Sequence, residues 1–239
     1  EKALEQIAAH RVTIFAGVVS YYNVLGRLIL EGDFDISSLR HPMTGGEPLT
    51  DETERVWLDT TGVPLEQFIG TTEMLHCFVT STRPDGTPHT GTMGHAVPGY
   101  EVAVLDPETY VPVANGEHGL FATRGPTGTV YWNKPEQQEK VVRGGWNVFQ
   151  DVVWRSENGD FHYVARHDEM IISSGYNISP VQVEDVLMRH EAVVECACVP
   201  ASDPTGKRGD IVKAFVVLSG NRAGNDALKT ELQNFVKAN

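Results

Sequence analysis

The sequence predicts an α/β fold: a parallel βαβ layer, then an antiparallel barrel-like subdomain, then a small α+β C-terminal domain. Three observations predict it. Residues 1 to 75 switch repeatedly between helical and strand periodicity. From about residue 90, short alternating runs are broken by Gly or Pro turns at close intervals. After residue 166, helical segments return around two strand-like runs. The expected division is 1–166 for a large unit (1–89 α/β layer, 90–166 β-rich) and 167–239 for the small domain.

In order, Leu4, Ile7 and Ala8 space as one face of a helix, and "VTIFAG" (12–17) is a short apolar run of the kind that forms a buried strand. Tyr21, Tyr22, Leu25, Leu28 and Ile29 recur at helical spacing, and "HPMTGG" (41–46) is a weaker strand. Thr50 can cap a helix whose first turn carries Asp51 and Glu52, the charge sign that suits a helix start. "VPLEQFIG" (63–70) returns to strand, which completes β-α-β-α-β and implies a parallel sheet. Gly17, Gly45-Gly46-Glu47 and Gly70-Thr71-Thr72-Glu73 then fall at the carboxyl ends of the three strands, the edge at which open α/β sheets bind ligands. The β-rich stretch holds one helix, "KPEQQEKVV" (134–142). "HDEMIISSG" (167–175) reads as a hairpin, and Pro180 opens a helix where proline is tolerated. "AVVECACVP" and "IVKAFVVLS" are strands, and a last helix runs over 225–238.

A net charge of −13 argues against a broad surface for nucleic acid or anionic membrane. Cys77, Cys196 and Cys198 have no metal-ligand spacing, and Cys196-Ala-Cys198 alternates as a strand does, so all three fit a reducing, cytoplasmic compartment. No signal-peptide pattern opens the chain, and Asn23 and Arg27 interrupt the apolar stretch 12–30 that prompts a membrane check. A start at Glu1 and a stop within a helical pattern are expected of a piece of a longer polypeptide.

Two places could carry chemistry. Thr72 and Glu73 put a hydroxyl beside a carboxylate at a strand end, a donor set that suits Mg²⁺ completed by phosphate oxygens; a solvated turn accounts for the same residues. Asp151, at a strand start, and Arg166, one hairpin later, could grip the two hydroxyls of a ribose, or form a surface salt bridge. The stretch 167–184 is unusual, but its spacing forces no function.

"IGTTE", "GTMGHAVPGYEV", the Asp151 segment, "ARHDEMIISSGYNISPVQVE" and "AVVECACVP…DIVKAFVVL" occur in the order found in the AMP-forming adenylating enzymes, and the chain resembles them over its whole length. That group holds the acyl- and aryl-CoA synthetases, peptide-synthetase adenylation domains and luciferases. "IGTTEMLH" and "DEMIISSGYNI" look most like benzoate and 2-aminobenzoate CoA ligases. The resemblance implies ATP, Mg²⁺ and coenzyme A as co-substrates and cofactors, with a carboxylic acid, preferably aromatic, as the small-molecule partner. By position it implies Thr72 and Glu73 at the ATP phosphates and Mg²⁺, Gly46 and Glu47 at adenine, and Asp151 with Arg166 at the ribose. It implies Asp168 as the hinge of the small domain, and Gly175 and Tyr176 at the pantetheine tunnel. Phe15, Ala16, Gly17 and Gly70 would enclose the acyl group, and His76 falls where aryl ligases have pocket residues.

The family's phosphate loop would precede Glu1 and its catalytic lysine would follow Asn239, so no catalytic lysine is expected in this chain. Lys207, in "DPTGKRGD", is read as a loop residue. The chain departs from the family at Phe149-Gln150, where Thr-Gly is usual, and at Ile172, where many relatives have lysine. The implied activity is a two-step acid–CoA ligase. The alternatives are a peptide-synthetase-type adenylation domain and a non-catalytic module that keeps only the fold.

Overall fold

The structure is a computed structural model that describes residues 1–82, 90–206, 209–220 and 222–239; Lys207 lies outside the described residues. It divides into two units, Glu1–Tyr163 and Val164–Asn239.

In the first unit, helix α1 (Lys2–His10) buries Leu4 and Ile7 and stops at Arg11, which turns left-handed. Strand β1 (Ile14–Gly17), α2 (Val19–Glu31), β2 (His41–Thr44), α3 (Asp51–Thr61) and β3 (Glu66–Gly70) follow. Strands β1, β2 and β3 are parallel, with Ile14 opposite His41 and Met43 opposite Glu66. Parallel neighbours need crossover connections, which α2 and α3 supply. The Thr50 hydroxyl accepts from the Thr53 amide and starts α3, as its spacing predicts. The helices bury Leu4, Ile7, Tyr22, Leu25 and Trp57 in one cluster with Leu39 and Leu65, and the Tyr22 ring meets Trp57 edge-on at 4.8 Å.

The apolar run 12–17 reads as a buried strand, yet Ile14 is 56% exposed. Among the described residues β1 pairs with β2 alone.

After β3 the chain makes a single 3₁₀ turn (Thr72–Met74) and reverses into β4 (Cys77–Thr80), antiparallel to β3; β5 (His95–Ala96) pairs antiparallel to β4. The sheet order is β1-β2-β3-β4-β5, so this layer continues past residue 89. "CFVT" is too short to show a period, which is why β4 is invisible in the sequence.

The second sheet is antiparallel: β6 (Glu101–Leu105), β7 (His118–Arg124), β8 (Val142–Arg143) after helix α4 (Pro135–Val141), β9 (Trp146–Arg155) and β10 (Phe161–Arg166). Its order is β10-β9-β7-β6, with β8 on β9. Within the unit, Phe78 of β4 is fully buried among Phe121, Phe149 and Phe161, which joins the first sheet's hairpin to this one. Burying one such ring contributes about 1.5–3 kcal/mol relative to exposure.

The second unit opens with a hairpin of β11 (Ile171–Ser173) and β12 (Tyr176–Ile178). Ser174 and Gly175 both have positive φ, the backbone of a primed two-residue turn that matches strand twist. Ser179 caps α5 (Pro180–Met188) through the Gln182 amide, with Pro180 at its first position. Strands β13 (Val193–Ser202) and β14 (Asp210–Leu218) pair antiparallel, and α6 (Asp226–Ala238) ends the chain. Leu187, Val193, Cys198 and Leu232 form the core, with Cys196 packed on it. Burial pushes the Cys196 thiol up to about 12 and Cys198 to about 11, so both behave as small apolar side chains. Among the described residues no helix is long and apolar enough to cross a membrane.

Candidate active site

The three strand ends are built closely. The buried Tyr22 hydroxyl lies 2.7 Å from the Phe15 carbonyl and 3.1 Å from the Met43 carbonyl, so one donor serves the ends of both β1 and β2. A Cβ on Gly45 would fall 2.5 Å from the Phe68 carbonyl oxygen, and one on Gly70 would fall 2.7 Å from that of His76. Glycine at 45 and 70 is therefore demanded by neighbouring backbone. A Cβ on Gly17 would meet the Tyr21, Phe15 and Tyr22 rings at 3.4–3.5 Å.

Glu47, expected beside adenine, has its carboxylate engaged elsewhere. It accepts from the Ser20 amide at 2.7 Å and the Ser20 hydroxyl at 3.1 Å, in the first turn of α2. A carboxylate is favoured there by the helix dipole, and the contact ties the loop after β2 to the turn after β1.

The turn after β3 is ordered by its own hydroxyls. Thr71 accepts from the Met74 amide at 3.4 Å, Leu75 closes the turn with φ of 62°, and the Thr72 side chain is exposed. Glu73 is half-buried, and its Oε1 accepts a 2.6 Å hydrogen bond from the Tyr131 hydroxyl. That bond, and a smaller contribution from Thr71 against the opposing effect of burial, hold the Glu73 carboxyl below the usual range; the same bond pushes the Tyr131 phenol up. Glu73 is thus ionised at neutral pH, with one oxygen fixed. Nothing in the sequence near residue 131 marks this partner, because the two residues meet across 58 positions.

The acyl-pocket candidates separate. Phe15 and Ala16 point to opposite faces of β1, as alternate strand residues must; Phe15 packs on the helical core and Ala16 is exposed. The exposed His76 places its Nδ1 3.2 Å from the Cys77 sulfur. Burial raises the Cys77 thiol.

Asp151 is not at a strand start. It lies inside β9, where the ladder slips: Leu120 pairs with Val152 and Ala122 with Val148, so residues 149–151 stand opposite Phe121 alone. Such a bulge frees side chains from the regular alternation and re-aims them. No glycine marks it, so the sequence reads as two segments. Phe149, the departure from Thr, stacks on Phe78 with centroids 5.2 Å apart and is buried.

Arg166, Asp168, Gly175 and Tyr176 belong to the second unit. Arg166 Nε donates to Asp168 Oδ1 at 3.1 Å, which holds the exposed Asp168 carboxyl below its usual range. Gly175 occupies the hairpin turn, and Tyr176 is 74% exposed.

Among the described residues no three His, Cys, Asp or Glu side chains gather as a metal site. One ionised carboxylate beside threonine hydroxyls fits a Mg²⁺ that arrives with phosphate ligands, and does not fit an ion held by protein groups alone.

Comparison with known proteins identifies the family. Residues 1–132 match the family of AMP-binding enzymes, and residues 182–239 match the AMP-binding enzyme C-terminal domain. The chain is 32% identical to an acyl–CoA ligase, YtcI, of Bacillus subtilis, over 99% of this chain and 44% of that protein. It is 33% identical to benzoate–CoA ligase of Thauera aromatica, over 98% of this chain and 44% of that protein. The crystal structure of the anthranilate CoA ligase AuaEII in complex with anthranoyl-AMP superposes with a TM-score of 0.88 at 29% identity, over 99% of this chain and 45% of that one. The chain therefore spans less than half the length of these relatives.

Proposed function

The chain belongs to the AMP-binding enzyme family, and from that premise we propose that the full-length protein is an AMP-forming acid–CoA ligase acting on an aromatic carboxylic acid. The observation that carries this reading is Glu73: an ionised, hydrogen-bonded carboxylate beside threonine hydroxyls at the carboxyl end of a parallel strand.

In the proposed reaction the acid's carboxylate attacks the α-phosphate of ATP and pyrophosphate leaves. The thiol of coenzyme A then attacks the acyl-adenylate and AMP leaves. Mg²⁺, when bound, supplies charge neutralisation at the phosphates. Glu73 and Thr72 would hold it and orient the phosphate chain; preorganised groups of this kind are the largest lever on phosphoryl chemistry. Gly46 and Glu47 contribute to the adenine side through backbone, since the Glu47 carboxylate is engaged by Ser20. Asp151 is assigned to the ribose hydroxyls, with Arg166 assisting. Gly17, Gly70 and His76 are assigned to the acyl side with the face of β1 that carries Phe15, and Ala16 to its other face. Asp168 is assigned to the pivot between the half-reactions, and Gly175 and Tyr176 to the pantetheine path. Three cysteines without disulfides support a cytoplasmic, reducing setting.

An aromatic substrate is supported by similarity to the benzoate and anthranilate ligases named above. Acid-dependent exchange of pyrophosphate into ATP, measured on the full-length protein with substituted benzoates, aliphatic acids and amino acids, tests the reading. Exchange is expected with benzoates and a CoA-dependent release of AMP with the same acids. Exchange with amino acids alone would overturn it in favour of a peptide-synthetase-type domain, and none with any acid in favour of a non-catalytic module.

A further inference from the structure

Tyr131 sits in a stretch whose other aromatic and apolar side chains face outward: Val130 is 85% exposed and Trp132 is 86% exposed. Tyr131 alone of the three turns inward, and its hydroxyl ends 2.6 Å from Glu73 Oε1. The stretch is clasped at two points by one side chain of α4. Gln138 Oε1 accepts from the Tyr131 amide at 2.9 Å, and Gln138 Nε2 donates to the Thr129 carbonyl at 3.0 Å. A helix thus holds the backbone, the backbone holds the phenol, and the phenol holds the carboxylate.

Glutamate has three side-chain torsions, and a free carboxylate must be ordered when it takes a ligand. Here Tyr131 fixes one oxygen in advance, so the carboxylate is already oriented. Carboxylates that hold metal ions are themselves held by hydrogen bonds from an outer ring of residues, and loss of such a partner typically costs about 10- to 100-fold in metal affinity.

We infer that Tyr131 is a positioning residue for Glu73, setting the carboxylate to receive the Mg²⁺ that accompanies ATP, with Gln138 as the clasp that keeps Tyr131 in place. The inference rests on the reading of Glu73 given above, and deepens it.

Calorimetric titration of the full-length protein with ATP, in EDTA and at graded Mg²⁺, separates the two. In the wild type, Mg²⁺ should tighten ATP binding. Tyr131→Phe should raise the Mg²⁺ concentration for half-maximal effect about 10-fold while leaving affinity in EDTA within about twofold. Glu73→Gln should abolish the Mg²⁺ effect, and Tyr131→Phe added to it should cause no further loss. If Glu73→Gln abolishes the effect but Tyr131→Phe leaves the Mg²⁺ requirement unchanged, the positioning role falls and the ligase reading stands. If Glu73→Gln keeps the wild-type Mg²⁺ dependence, the assignment of Glu73 itself falls. Should Tyr131→Phe fail to fold, Gln138→Leu replaces it: a smaller shift in the same direction supports the inference, and no shift overturns it.

Discussion

Replacing Gly70 with alanine distinguishes two reasons for a glycine at the end of β3. If the position is small to admit a flat ring, Gly70→Ala changes which acids are accepted and leaves the fold intact. The geometry favours the other reason. The new Cβ would lie 2.7 Å from the His76 carbonyl oxygen, 2.9 Å from Cys77 Cα and 3.0 Å from Cys77 N. All three are main-chain atoms of the β3–β4 hairpin and cannot swing aside as a side chain could. Overpacking of this kind costs about 1–3 kcal/mol, against about 0.4–1 kcal/mol gained because alanine restricts the unfolded chain. The net expectation is a loss of about 1–2 kcal/mol, or roughly 2–8 °C in Tm at this chain length. Differential scanning calorimetry of wild type and variant measures it, and the pyrophosphate-exchange panel run alongside reports selectivity. An unchanged Tm together with a shift toward smaller acids would refute the packing account.

Phe149→Thr should destabilise the protein by about 3 kcal/mol or more in urea titration, because it empties the stack on Phe78 and puts a hydroxyl in an apolar core. The Cys196 and Cys198 thiols have folded values of about 12 and 11, above the ordinary thiol range, so the unfolded chain loses those protons first as pH rises. Their contribution is full below about pH 8.5 and declines through pH 11–12, and unfolding midpoints measured from pH 8 to 11 should fall less in Cys196→Ala/Cys198→Ala than in wild type. Asp168→Ala removes an exposed pair with Arg166, so stability should change by no more than about 0.5 kcal/mol. The proposed pivot role predicts slowed thioester formation with little change in pyrophosphate exchange, read in the same assays on the full-length protein.

What the sequence announced, and what it hid, divide by range. Thr50 and its acidic neighbours and Pro180 at a helix start depend on contacts within one turn, and each appears where its chemistry requires. The hidden features depend on distant partners. The bulge at residues 149–151 exists because β7 and β9 slip against each other, and no glycine advertises it. The bond from Tyr131 to Glu73 and the engagement of Glu47 by Ser20 join residues far apart in the chain, and neither Tyr131 nor Ser20 belongs to a local pattern.

The Tyr22 hydroxyl between the Phe15 and Met43 carbonyls has a mechanical consequence. Burial raises this phenol far above neutral pH, so it stays protonated across any physiological range and the attachment cannot be titrated away. The first two strand tips therefore move as one block. Freedom of movement at this end of the sheet is therefore left to the loops beyond Gly17 and Thr44.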